Sequence, residues 1–169
     1  MIDLNDFVPD GAVTVSSDGS SGVLAESNQG YAELFNDPDF GDPNVILPEL
    51  GGLPTTLRFD YTFLEPGTLN NDLFEVYVFN ANGFILTTPD FATTDPGTGT
   101  VSLDLAPLSG NLVGAWFNFR SLAGDSAMTS SVTISNVTLS TTAVPEPSAL
   151  ALFSIGGLGL VLSSRPRKR

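Results

Sequence analysis

Over the first 140 residues, apolar and polar side chains alternate in short runs separated by Gly, Pro, Asn and Asp. This is the pattern of half-buried strands joined by turns. The clearest run is "LRFDYTFL", where Leu57, Phe59, Tyr61 and Phe63 point one way and Arg58, Asp60 and Thr62 the other. After the turn-rich "EPGTLNND", the run "FEVYVF" places Phe74, Val76 and Val78 on one face, and "GFILTT" reads as its hairpin partner across "NAN". "TVSLDL" aligns Val101, Leu103 and Leu105, and "LVGAWFNF" aligns Val113, Ala115, Phe117 and Phe119. In "SVTISNVTLS" the apolar parity changes, from Val132 and Ile134 to Val137 and Leu139, which predicts a bulge near Ser135–Asn136. "AVTVS", "GYAELF" and "NVILP" are weaker strand candidates upstream.

No part of residues 1–140 sustains a helical period. Eight or so short strands at close spacing predict an all-β fold, an antiparallel β-sandwich of jelly-roll type, with its Phe, Val and Leu between two sheets. Residues 141–147 read as a linker, because "STTAVPEPS" is small and polar and then extended by its prolines.

Charge sharpens this division. Residues 1–143 hold 18 acidic side chains against two basic ones, Arg58 and Arg120, for a formal charge of −16. The remaining residues hold Glu146 against Arg165, Arg167, Lys168 and Arg169, for +3. A body so acidic is a poor partner for nucleic acid or anionic lipid, and the same acidity provides solubility. The chain has no Cys and no His. That excludes thiol and imidazole catalysis, haem ligation by those residues, and zinc sites built from them.

Beyond the linker, residues 148–164 are 17 residues without a charge. As a helix they rise about 25 Å, against a hydrocarbon core of about 30 Å. Residues 165–169 form a basic cluster whose Arg165 and Lys168 can snorkel to the headgroups and extend the reach. The reading is a transmembrane helix with a basic cytoplasmic tail and the acidic body outside. A helix packed on the sandwich is the alternative, disfavoured because the run is apolar on all sides.

The order Val144-Pro145-Glu146-Pro147-Ser148, an apolar Gly-rich run and then "RPRKR" resembles a PEP-CTERM sorting signal. That resemblance implies a bacterial envelope protein recognised by exosortase, a membrane protease-transpeptidase that processes its substrate near the motif. It makes Pro145, Glu146 and Pro147 recognition residues and Arg165, Arg167, Lys168 and Arg169 the stop-transfer cluster. Members of that family begin with a secretory signal peptide, whereas "MIDLNDFVPDG" has neither the basic nor the apolar region of one. A late start site or a truncation accounts for this departure.

For the body, "LRFDYTFLEPGTLNNDLFEVYVFNANG" and "AMTSSVTISNVTL" resemble the β-sandwich domains of such surface proteins and, more loosely, the jelly rolls of carbohydrate-binding modules. The leading expectation is a non-enzymatic surface or extracellular-matrix protein, structural or associated with exopolysaccharide. The alternative is a carbohydrate-binding module with Tyr31, Tyr77 and Trp116 as the sugar-contacting aromatics. Trp116 is out of phase with Phe117 and Phe119, which allows an outward-facing ring, but core or sheet-face packing is the favoured role for a single Trp in a sandwich. Asn36, Asp37, Asp39 and Asp42 in "NDPDFGDPN", and Asn70, Asn71 and Asp72 in "NNDLFE", offer hard oxygens for calcium. A solvated turn rich in Asp, Pro and Gly is the favoured explanation, since the full EF-hand pattern is missing. No motif singles out a pair of carboxylates for hydrolysis.

Overall fold

A computed structural model describes residues 1–36, 55–66, 72–80, 88–108, 113–121 and 129–141. Among these, ten strands form two antiparallel sheets: β1 (Val8–Gly11), β2 (Val13–Val15), β3 (Ser21–Ala25), β4 (Tyr31–Asn36), β5 (Thr55–Leu64), β6 (Leu73–Asn80), β7 (Phe91–Thr93), β8 (Gly97–Asp104), β9 (Val113–Arg120) and β10 (Ser131–Thr141). The first sheet has the order β1-β4-β9-β6-β7 and the second β2-β3-β10-β5-β8. The chain crosses repeatedly from one sheet to the other, a winding of the jelly-roll kind.

The period-two runs fix which side chains meet. Phe59 and Phe63 of the second sheet face Phe74, Phe117 and Phe119 of the first, and all five are essentially buried. Phe59 sits at the centre, with edge-to-face contacts to Phe117 at 5.3 Å, Phe91 at 6.2 Å and Phe74 at 6.4 Å between ring centroids. Such pairs contribute about 0.5–1.5 kcal/mol each beyond their area burial. Leu24, Leu34, Leu57, Val76, Val132 and Ile134 fill the space around them.

The expected change of parity in the last strand is present. The β10–β5 register shifts between Ser135 and Thr138, and Asn136 takes a left-handed φ of 53°. The extra residue returns Val137 to the core, where it is 1% exposed.

Three differences from the sequence reading have simple causes. β3 and β7 were not expected, because "SGVLA" and "FAT" are too short, or too rich in small residues, to show a period. β1 was missed because Pro9 sits within it, and that strand lies at the edge of its sheet, where a missing N–H is tolerated. β6 lies between β9 and β7, with Val76 opposite Phe91, and the expected hairpin partner "GFILTT" falls almost wholly outside the described residues. Of that segment only Thr88 is described, and it is not in a strand. "NVILP" lies outside the described residues, as do 142–169 with the linker, the apolar run and the basic cluster. Among the described residues no helix is long and apolar enough to cross a membrane.

Candidate functional site: the outward face of the first sheet

In β9 the inward residues Ala115, Phe117 and Phe119 alternate with Trp116, Asn118 and Arg120, which therefore point away from the core. Strand register then assembles three parallel rungs across this outer face. The first joins Val8 to Phe35, Phe35 to Trp116 and Trp116 to Tyr77. The second joins Asp10, Glu33, Asn118 and Glu75 in the same strand order. The third joins Tyr31, Arg120 and Leu73. Val8, Phe35, Trp116 and Tyr77 are half-buried, and none belongs to the core between the sheets. With neighbouring strands about 4.8 Å apart, the four-strand apolar rung runs about 14 Å, and successive rungs on one face lie about 7 Å apart.

The aromatic rung is paired. Tyr77 and Trp116 lie with ring centroids 5.4 Å apart and planes inclined by 30°. Their half-buried, nearly parallel faces offer an apolar surface flanked by polar groups. Beside the rung, two residues along β9, lies a tight packing contact, because a Cβ on Gly114 would stand 2.5 Å from the Asn36 carbonyl oxygen and 2.6 Å from the Phe79 ring. Glycine is required there for the Phe79 ring to lie on the sheet.

The polar rung is held by Glu75, which is only 4% exposed although it faces outward. Its carboxylate accepts from the Tyr77 hydroxyl at 3.1 Å, from Asn118 Nδ2 at 3.3 Å, and from Arg120 Nε at 2.9 Å. The Tyr31 hydroxyl donates to Asp10 at 3.3 Å. These contacts perturb the acids and phenols. Burial and the hydrogen bond to Glu75 raise the Tyr77 phenol above its ordinary value, and the negative charge of Asp10 raises that of Tyr31. Glu33 is raised by desolvation and then by Asp10, its cross-strand neighbour. Asn118 is 4% exposed, and its Oδ1 has no hydrogen-bond partner among the described residues.

The three aromatics that are candidates for sugar contact, Tyr31, Tyr77 and Trp116, thus share one face. Tyr77 and Trp116 are adjacent, and Tyr31 stands across the polar rung from them. Sequence reasoning missed Phe35, Asp10, Glu33, Glu75, Asn118 and Arg120. Alternation within "GYAELF" and "FEVYVF" already separates Tyr31, Glu33, Phe35, Glu75 and Tyr77 from the core positions, but only register shows which of them are neighbours.

Asp37, Asp39, Asp42, Asn70 and Asn71 lie outside the described residues. Asp72 is fully buried just before β6, and among the described residues neither of its carboxylate oxygens has a hydrogen-bond partner. Among the described residues no group of three or more acidic side chains is arranged to hold a metal ion.

Residues 143–168 match the family model described as the PEP-CTERM protein-sorting motif. The chain carries a PEP-CTERM sorting motif. Pro145, Glu146, Pro147, Arg165, Arg167 and Lys168 fall within the PEP-CTERM match, and Arg169 follows it. No curated protein matches the chain. Among solved structures, it is similar to the N-terminal cellulose-binding domain of β-1,4-glucanase C from Cellulomonas fimi. The TM-score is 0.41 and the identity 17%, over 81% of this chain and 89% of that one.

Proposed function

We propose that this is a bacterial cell-surface or extracellular-matrix protein, sorted by exosortase, whose sandwich associates with exopolysaccharide by holding an extended glycan across the outer face of its first sheet. Its role is binding rather than catalysis. Before processing, residues 148–164 anchor the chain in the membrane, with Arg165, Arg167, Lys168 and Arg169 on the cytoplasmic side. Four cations so close together oppose transfer through hydrocarbon. Pro145 and Pro147 keep the recognition segment extended and out of the helix, so an enzyme in the membrane has access to it.

The observation that carries the binding role is the rung Val8–Phe35–Trp116–Tyr77, in which four apolar side chains are left half-exposed in a row away from the core. Sugar rings are apolar on their C–H faces and polar at their edges. An aromatic rung beside a rung of carboxylates and an amide matches both features at once. Its length of about 14 Å suits a chain of a few sugars better than a single one.

Titrating the full chain in a nonionic, sugar-free detergent with a panel of soluble polysaccharides, acidic to neutral, tests the reading. At least one polysaccharide should shift Trp116 fluorescence. Trp116→Ala should weaken that binding about tenfold or more while leaving the melting temperature nearly unchanged, because Trp116 lies outside the core. No response to any polysaccharide, together with a Trp116→Ala protein that unfolds, would return this residue to a packing role.

A further inference from the structure

Among the described residues, the outer face of the first sheet has more hydrogen-bond acceptors and negative charges than it has donors to meet them. Asp10 and Glu33 are direct cross-strand partners, and like charges so placed repel each other. Neither forms an ion pair among the described residues. The nearby Arg120 is already committed through Nε to Glu75 at 2.9 Å, and the two phenol hydroxyls donate to Asp10 and Glu75. Between Glu33 and Glu75 lies Asn118, whose amide is oriented by its bond to Glu75, since a carboxylate only accepts. Its Oδ1 is therefore a buried acceptor without a donor among the described residues. Such an atom costs free energy until a donor reaches it.

From this, and resting on the glycan-binding reading, we infer that the face selects an amine-bearing glycan, a polymer whose sugars carry protonated amino groups. An ammonium brings three N–H donors and a positive charge to a row made of Asp10, Glu33 and Asn118 Oδ1. It meets both deficits together. A uronate or sulfated chain would add anions to a body that already carries −16. A neutral glycan would supply donors but leave the two carboxylates uncompensated. The raised pKa of Glu33 agrees, because desolvation and Asp10 both disfavour its charged form until a cation arrives.

The experiment is calorimetric titration of the full chain in the same detergent with four hexasaccharides: glucosamine, N-acetylglucosamine, glucose and galacturonate. A mildly acidic buffer keeps both amines and carboxylates charged. The glucosamine oligomer should bind about tenfold more tightly than its acetylated or neutral counterparts, the galacturonate oligomer should not bind, and added salt should shrink the preference. The double variant Asp10→Asn/Glu33→Gln should abolish the preference and keep the weaker neutral binding. Asp95→Asn/Asp104→Asn, an equal change in charge away from this face, should leave it intact. Equal or tighter binding of neutral oligomers through Trp116, or a preference lost equally in both double variants, would overturn the amine selectivity while the glycan reading stands. No binding of any oligomer, with Trp116→Ala indistinguishable from the parent, would overturn both.

Discussion

Asp18 shows at the scale of one residue how this chain holds its turns without disulfides. Its carboxylate accepts from the Ser16 hydroxyl at 2.7 Å, the Ser20 hydroxyl at 2.8 Å and the Ser20 amide at 3.1 Å, closing the β2–β3 hairpin. The Ser16 hydroxyl in turn accepts from the Ser21 amide at 3.0 Å. The Ser16 and Ser20 hydrogen bonds favour the ionised form and lower the Asp18 pKa to about 2. A depressed pKa means that the folded state releases this proton more readily than the unfolded chain. The stabilisation is therefore present above the ordinary carboxylate value and is lost as pH falls toward about 2. Asp18→Ala should lower the melting temperature at neutral pH, and the gap from the parent should close as pH falls through that window. A gap that stays constant down to pH about 2 would show that the carboxylate charge is not what holds the turn. Such a turn is legible in "SSDGSS" only as turn composition, because the sequence does not say which oxygen meets which donor.

Among the elements, β10 carries the clearest agreement between pattern and structure. Its apolar parity changes because one residue is added, and Asn136 absorbs the addition at φ 53° while its Nδ2 donates to Asp60 at 2.8 Å. Asp60 also accepts from the Thr100 hydroxyl of β8, so one carboxylate ties three strands of the second sheet. Asn136→Ala should cost about 1–3 kcal/mol by urea unfolding, combining left-handed strain with the lost hydrogen bond. Asn136→Gly keeps the conformation available and should cost less. Equal losses in the two variants would remove the conformational part of this account. The strands legible in advance, β5, β6, β8, β9 and β10, are those long enough to repeat a period several times. β3 and β7 are held by their neighbours instead, as in the pairing of Val132 with Leu24 and of Val76 with Phe91. The site divides in the same way. The outward phase of Trp116 follows from counting within one strand, whereas its contact with Tyr77 joins residues 39 positions apart and follows only from the β6–β9 register.

At the scale of the whole molecule, an acidic sandwich precedes a PEP-CTERM motif of opposite charge. In a host with a matching exosortase and a signal peptide supplied, the chain should be cut close to Val144–Pro147. Intact mass of the surface-released form should then exclude residues 148–169, and a mature species that retains them would count against processing at the motif. The proposed role of the sandwich at the surface rests on its outer aromatic face, and the most direct measurement is the footprint of a bound glycan. Backbone amide shifts of the isotopically labelled protein, followed during titration with a glucosamine oligomer, should move along β1, β4, β9 and β6 around Asp10, Glu33, Trp116 and Tyr77. Those of Thr62, Thr100 and Thr133 on the second sheet should stay still. Shifts confined to the second sheet, or none at saturating oligomer, would contradict the assignment of this face as the glycan site.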